Sequence, residues 1–263
     1  MINRIEFKPA KGLPLDKYSI HKYREQIPGL DDCLVEEIRK SRTVFFYNKE
    51  ATSIYPVERR ENGYKALIAP GPNMSYTLDI NGIHMHRIKG TDPLVDSELK
   101  VRAARVGKHQ KILDTCMGLG YTVIKSLQKG AKVTTVEKDP DVIWIATHNP
   151  YSRELSSNRV EVIHGDILVV IKEFPDNTFN RIIHDPPRLT AVTGDLYSLE
   201  FYRELLRILK PGGILFHYSG LPGKKRGINL IGKTASRLEK AGFYPTLKNR
   251  KAQGIVAIKP LGS

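Results

Sequence analysis

Cysteine is scarce. Cys33 and Cys116 are the two in 263 residues, far apart and without metal-type spacing. That excludes a disulfide framework and a cysteine-held zinc site, and a reducing, cytoplasmic setting is the simplest expectation. No apolar run reaches membrane-spanning length, so no membrane partner is expected. The opening "MINRIEFKPAKG" lacks an apolar signal-peptide core, so no secretory leader is expected either. Internal repeats and low-complexity segments are missing. His84 and His86 share one face of a strand, but no third ligand accompanies them, so no metal site is expected.

Acid is in short supply. There are 28 Asp and Glu against 42 Lys and Arg, a formal charge of +14. The excess is uneven. Residues 224–251, "KKRGINLIGKTASRLEKAGFYPTLKNRK", hold nine basic residues against Glu239 alone. Such a surface attracts polyanions by releasing their counterions, which points to nucleic acid. The plainer alternative is a solvated, solubilising face.

From Lys111 onward the pattern is regular. "KILDTC", "AKVTTVEKD", "RVEVIHGD", "FNRIIHDPP" and "ILFHYSG" read as strands. "YTVIKSLQKG", "PDVIWIATHNP", "ILVVIKEFP", "LYSLEFYRELLRILKPGG" and "NLIGKTASRLEKAGF" read as helices between and after them. Alternation of this kind predicts an α/β, Rossmann-like, mostly parallel sheet covered on both faces. "YPTLKN" and "GIVAIKP" have no helix between them and predict an antiparallel C-terminal hairpin. Residues 1–92 lack the alternation. "DDCLVEEIRKS" reads as a helix, and "TVFFYN", "SYTLDI" and "IHMHRI" as strands, with Asn81-Gly82 marking a tight hairpin. The expectation is a small N-terminal α+β domain over 1–92, then a linking helix from about Asp96 to Val106 opening a second domain over 93–263.

In open α/β sheets, ligands bind beyond the carboxyl ends of the strands. Four tips there carry chemistry. "DTCMGLG" (Asp114 to Gly120) has glycines that let a ligand approach backbone, ahead of a helix N-terminus. Position 123 is valine rather than the third glycine of a dinucleotide fingerprint, which disfavours a pyrophosphate site. "VEKD" places Glu137 nineteen residues after Gly118, suited to accept from ribose hydroxyls. "HGDI" places Asp166 where it either accepts from an adenine amino group or caps the next helix. "HDPPR" ends the fourth strand, because prolines cannot continue the ladder. Cys116 fits a small packing residue better than a nucleophile, and Trp144 and Ile145 fit core or a pocket wall.

These six segments in order, "DTCMGLG", "VEKD", "HGDI", "DPP", "LKPGG" and "AGF", resemble the class I S-adenosylmethionine-dependent methyltransferases over residues 93–263. The resemblance implies S-adenosyl-L-methionine as cofactor and S-adenosyl-L-homocysteine as product. It implies cofactor contacts from Asp114, Thr115, Cys116, Gly118, Gly120 and Tyr121 in the first loop, Glu137 and Lys138 at the second tip, and Asp166 and Ile167 at the third. "DPP" resembles the tip of enzymes that methylate an amino group on a planar ring. Asp185 and the Pro186 carbonyl are then the acceptors that draw the amino nitrogen out of conjugation, with Pro187 stiffening the loop and Arg188 where relatives carry a stacking aromatic. His184, Tyr197, His217 and Tyr218 are candidates for stacking or hydrogen bonding to the base, and each is equally well read as a packed side chain. Lys224, Lys225 and Arg226 are candidates for gripping the RNA backbone.

The longer strings "LDTCMGLGYT", "HNPYS", "IIHDPPR", "LYSLEFYREL" and "LFHYSGLPG" resemble one archaeal group of RNA methyltransferases that includes a ribosomal RNA N4-cytidine methylase. The implied activity is mono- or dimethylation at N4 of cytidine, with ribosomal RNA or a ribosomal subunit as partner. Three rivals stand beside it: a methyltransferase of a small molecule or protein amine, a polyamine aminopropyltransferase-like enzyme, and a non-catalytic RNA-binding relative. A polyamine cation calls for several acids, and only Asp185 and Asp195 lie near the tip in sequence.

Overall fold

The computed structural model describes residues 2–191, 193–220 and 230–262. The N-terminal part contains β1 (Asn3–Ile5), β2 (Gly12–Leu15), α1 (Asp32–Lys40), β3 (Phe45–Asn48), β4 (Ser53–Pro56), β5 (Glu58–Arg59), β6 (Lys65–Ile68), β7 (Thr77–Ile80) and β8 (Ile83–His84). Helix α2 (Pro93–Ala103) leads into β9 (Lys111–Asp114), α3 (Tyr121–Gln128), β10 (Lys132–Glu137), α4 (Pro140–His148), β11 (Val160–His164), α5 (Ile167–Val170) and β12 (Phe179–His184). Then come α6 (Leu199–Ile208), β13 (Leu209–Tyr218), α7 (Leu230–Ala241), β14 (Thr246–Asn249) and β15 (Gly254–Ile258).

The large sheet has the order β1-β11-β10-β9-β12-β13-β15-β14. Its centre, β11 to β13, is parallel, and β15 and β14 close one edge as an antiparallel hairpin. The central strands read as unbroken apolar runs because both faces are covered. Alternate residues go to opposite sides. Ile112, Val133 and Ile183 face the core shared with α3, α4 and the N-terminal strands. Leu113, Val136 and Ile182 face the core under α5, α6 and α7. This is the α/β, Rossmann-like methyltransferase sheet read from the sequence, with small antiparallel sheets ahead of it.

Capping chemistry sets the helix starts. Asp92, Asp139, Asp166 and Ser198 each precede a helix and accept a backbone N–H of its first turn. Pro93 and Pro140 occupy first-turn positions, where a missing N–H costs nothing. Asn81 and Gly82 both have positive φ, 51° and 81°, as the two-residue hairpin between β7 and β8 requires.

Three expectations shift. The linking helix begins at Pro93 and stops at Ala103, with Arg105 in left-handed conformation just beyond. The "IHMHRI" strand shortens to Ile83–His84, because His86 turns onto the Tyr121 ring and Arg87 onto Asp96. The helix over "ILVVIKEFP" is a single turn followed by a 3-10 turn. The expected division at residue 92 is also crossed. β1 pairs antiparallel with β11 on the edge of the large sheet, and Phe46, Val57 and Leu67 share a core with Ile112 and Val123. Two small antiparallel sheets, β2-β3-β4 and β5-β6-β7-β8, thus pack against the α3–α4 side. No described helix is long and apolar enough to cross a membrane.

Candidate active site

The four chemical tips converge along one edge of the large sheet, at the carboxyl ends of β9, β10, β11 and β12. Asp114 ends β9 and is 1% exposed. Its carboxylate accepts from the Thr122 hydroxyl at 2.6 Å and the Thr135 hydroxyl at 2.8 Å. Burial pushes its pKa up to about 7, against the pull of those two hydroxyls. Asp114 therefore braces the loop from beneath. Thr115 does likewise, with its amide donating to the Ile183 carbonyl and its hydroxyl 2.7 Å from Nδ1 of His184. Burial raises the Cys116 thiol well above its ordinary range, which disfavours a thiolate nucleophile there. Tyr121 is 1% exposed, donates its hydroxyl to the Tyr76 carbonyl and accepts from Asn149. It fastens the loop to the N-terminal sheets.

Gly118 and Gly120 have φ of 53° and 74°. A Cβ at Gly118 would meet nothing within 4 Å, whereas one at Gly120 would lie 2.6 Å from Leu155. Gly118 thus offers bare backbone to open space, and Gly120 is needed for packing. Glu137, half-buried at the end of β10, accepts from the Gly118 amide and the Asp139 amide, both at 3.0 Å. Burial raises its pKa, and those two amides oppose the rise. They take one bond on each carboxylate oxygen, which leaves acceptor capacity on both for a ribose diol. An open glycine turn, a helix N-terminus and an aimed carboxylate together fit S-adenosylmethionine.

At the third tip Asp166 caps α5 through the Leu168 amide and pairs with Lys138 at 2.7 Å. The sequence left adenine contact and capping open; the cap is what the fold forms, and Lys138 is spent on the same carboxylate. Ile167 is buried beside it.

The fourth tip is built on Asp185. Its Oδ2 lies 2.5 Å from the ammonium of Lys100, which reaches across from α2. Lys100 is 1% exposed and also lies 3.1 Å from Asp96 and 4.3 Å from the centre of the Tyr218 ring. Arg87 pairs with the other oxygen of Asp96. Among the described residues, nothing donates to Oδ1 of Asp185 or to the Pro186 carbonyl. The Pro187 carbonyl accepts from Tyr197 at 2.8 Å, and the Arg188 carbonyl accepts from Thr193 at 2.7 Å. The turn after the tip is thereby held, while the Arg188 side chain stays exposed.

Two candidates for base contact sit behind the tip instead. His184 and His217 are fully buried. Nε2 of His184 donates to the Leu196 carbonyl while Nδ1 accepts from Thr115. Nδ1 of His217 donates to the Tyr218 carbonyl while Nε2 accepts from Tyr202. All four ring nitrogens are used, and burial lowers both pKa values, His217 to about 4. These rings are neutral packing that supports the tip and have nothing left for a substrate. Tyr197 is likewise buried, whereas Tyr218 remains half-buried beneath Lys100. Lys224, Lys225 and Arg226 lie outside the described residues.

Sequence reasoning missed Lys100, Asp96 and Arg87. The available signal was Asp96 and Lys100 at i, i+4 on the same stripe of α2 as Ser97 and Val101, a charged pair on a buried face.

Comparison with known proteins bears on the family and the fold. A family model described as methyltransferase domain matches residues 112–213. The uncharacterized protein MJ1233 of Methanocaldococcus jannaschii is 45% identical over 260 residues, covering 98% of this chain and 88% of its own length. Polyamine aminopropyltransferase 2 of Streptomyces coelicolor is 32% identical over 60% of this chain and 30% of its own. A probable ribosomal RNA small subunit methyltransferase A of Thermococcus kodakarensis is 28% identical over 68% of this chain and 64% of its own. Among solved structures, a spermidine synthase from Thermotoga maritima superposes with a TM-score of 0.62 at 18% identity, over 98% of this chain and 82% of that one. At that identity the likeness is one of fold, and it extends to the N-terminal sheets.

Proposed function

The chain belongs to the family of the M. jannaschii protein MJ1233 and is an enzyme with an S-adenosylmethionine-dependent methyltransferase domain, and from that premise we propose that it methylates an exocyclic amino group of an RNA base, namely N4 of cytidine in ribosomal RNA. The observation that carries this reading is the fourth tip, where two acceptors with no donor among the described residues, Oδ1 of Asp185 and the Pro186 carbonyl, stand on a proline-stiffened turn. The cofactor, when bound, supplies an electrophilic methyl group on a positively charged sulfur. Gly118 and Glu137 would hold it, and Asp166 and Ile167 would flank its adenine end.

The two acceptors at the tip each take one N–H of the amino group. This draws the nitrogen lone pair away from the ring and fixes it for in-line attack. As the N–C bond forms and the S–C bond breaks, the nitrogen becomes cationic, and the Asp185 carboxylate stabilises it. One N–H proton then leaves to Asp185 or through it to water. The target base is unpaired or flipped out, because pairing would occupy its amino group. The net charge of +14, the segment over 224–251 and the N-terminal sheets supply the grip on RNA or on a ribosomal subunit in the cytoplasm.

The aminopropyltransferase relative keeps a second reading in play, transfer to a polyamine. The electrostatics oppose it. Lys100 already pairs with Asp185, and Asp195 is exposed on the turn beyond the tip. A polycation would meet a buried ammonium rather than a cluster of free acids. Competition between acceptors tests the two. With labelled S-adenosylmethionine, the protein should label RNA or ribosomal subunits in a salt-sensitive manner and leave diamines and small amines unlabelled. Labelling of a diamine, or aminopropyl transfer from the decarboxylated cofactor, overturns the proposal.

A further inference from the structure

The Lys100–Asp185 contact is not explained by anchoring alone. A lysine at 1% exposure is unusual, because a buried ammonium must be fully compensated. Compensation here comes from a set of four charges, Arg87, Asp96, Lys100 and Asp185, two of each sign, in which Lys100 hydrogen-bonds Asp185 and meets Oδ2 of Asp96 as a charge contact without a hydrogen bond. The set runs from the segment after β8, through α2, to the fourth tip. Arg87 also donates to the Lys251 carbonyl in the turn before β15. The tip carboxylate is therefore wired to the N-terminal part and the C-terminal hairpin.

We infer that Lys100 is a positioning residue that clamps Oδ2 of Asp185, so that Oδ1 alone faces the amino group to be methylated. The inference rests on the proposed role of Asp185 in transfer. Without the clamp the carboxylate is free to rotate about its Cβ–Cγ bond, and an isolated buried acid takes up a proton. A protonated Asp185 accepts weakly and stabilises no cation. The groups facing it are Lys100 and Asp96 from α2, Arg87 from the segment after β8, Tyr218 from β13, Tyr197 beyond the tip, and Asp114 with Cys116 at the end of β9. Burial raises the pKa of Asp185, Lys100 opposes the rise, and Asp96 adds to it. Lys100 itself is held above its ordinary range by the two acids despite its burial.

Two substitutions therefore push in opposite directions. Lys100→Met keeps the apolar stem, is shorter by the terminal nitrogen and removes the counter-charge, so Asp185 titrates higher. Asp96→Asn keeps Lys100 and removes the competing acid, so Asp185 titrates lower. The shifts are about one to three pH units for Lys100→Met and smaller for Asp96→Asn. The direct readout is carbon-13 NMR of the aspartate carboxyls, assigned with Asp185→Asn and needing neither cofactor nor RNA. The second readout is the acid limb of the methyl-transfer rate, which should move with the titration, with Lys100→Arg restoring it in part. An unmoved titration, or one moved the same way by both variants alongside a lower melting temperature, overturns the inference and makes the set a structural brace. If Lys100→Met does not fold, the downward shift in Asp96→Asn decides alone. A titration that moves as stated beside an unmoved rate profile supports the clamp and removes Asp185 from the chemistry.

Discussion

Asp114 gives a prediction whose sign runs against the usual behaviour of acids. Its carboxyl is 1% exposed and titrates near 7 in the folded chain, against 3.8 when unperturbed. The folded state thus binds the proton more tightly than the unfolded chain does. The resulting stabilisation is complete below pH 3.8 and is lost as pH rises through about 7. About three pH units at 1.36 kcal/mol each give a loss of about 4 kcal/mol between pH 4 and pH 8. Asp114→Asn carries no such term. Its amide still pairs with the Thr122 and Thr135 hydroxyls, accepting from one and donating to the other. Two imidazoles act in the opposite sense. His86, held near 3, and His217, held near 4, favour folding above pH 6.5 and lose that contribution as pH falls. They are common to both proteins and cancel in the difference. Chemical denaturation of wild type and Asp114→Asn from pH 4 to 8 should show the variant gaining on the wild type as pH rises. At pH 8 it should melt roughly 10 °C higher than it would without the gain. A flat difference across that range refutes the account of Asp114 as a buried, proton-holding brace.

Glu137→Gln should leave folding intact and weaken S-adenosylmethionine binding by about 10- to 100-fold in calorimetric titration, because an amide has one oxygen where the Gly118 and Asp139 N–H groups need two. The glycines should separate cleanly. Gly120→Ala drives a Cβ into Leu155 at positive φ and should cost about 2–4 kcal/mol in denaturant melts, whereas Gly118→Ala meets open space, should cost about 1–2 kcal/mol, and should spend its effect on cofactor affinity.

The parallel sheet was legible because its strands are short, apolar and separated by capped helices, so Asp114, Glu137, Asp166 and Asp185 could be placed at strand ends by counting. The N-terminal sheets were less legible. β5 and β8 have two residues each, too few for any period, and β6 is the tetrapeptide KALI, one lysine and three apolar residues inside a turn-rich stretch. Nor does spacing reveal the partner of a side chain. The nitrogens of His184 are satisfied by Thr115 and Leu196, and Lys100 meets Asp185 across 85 residues. Pairings over such distances are set by how α2 packs across the sheet, which no local pattern encodes.

The most direct test of the central claim is the chemistry itself. Ribosomal RNA from cells lacking the protein would be incubated with it and labelled S-adenosylmethionine, then digested to nucleosides and analysed by mass spectrometry. The account predicts label on N4 of cytidine, absent with Asp185→Ala although that variant still binds cofactor. Label on a ring carbon, on ribose or on no nucleoside, from protein that binds S-adenosylmethionine, contradicts it.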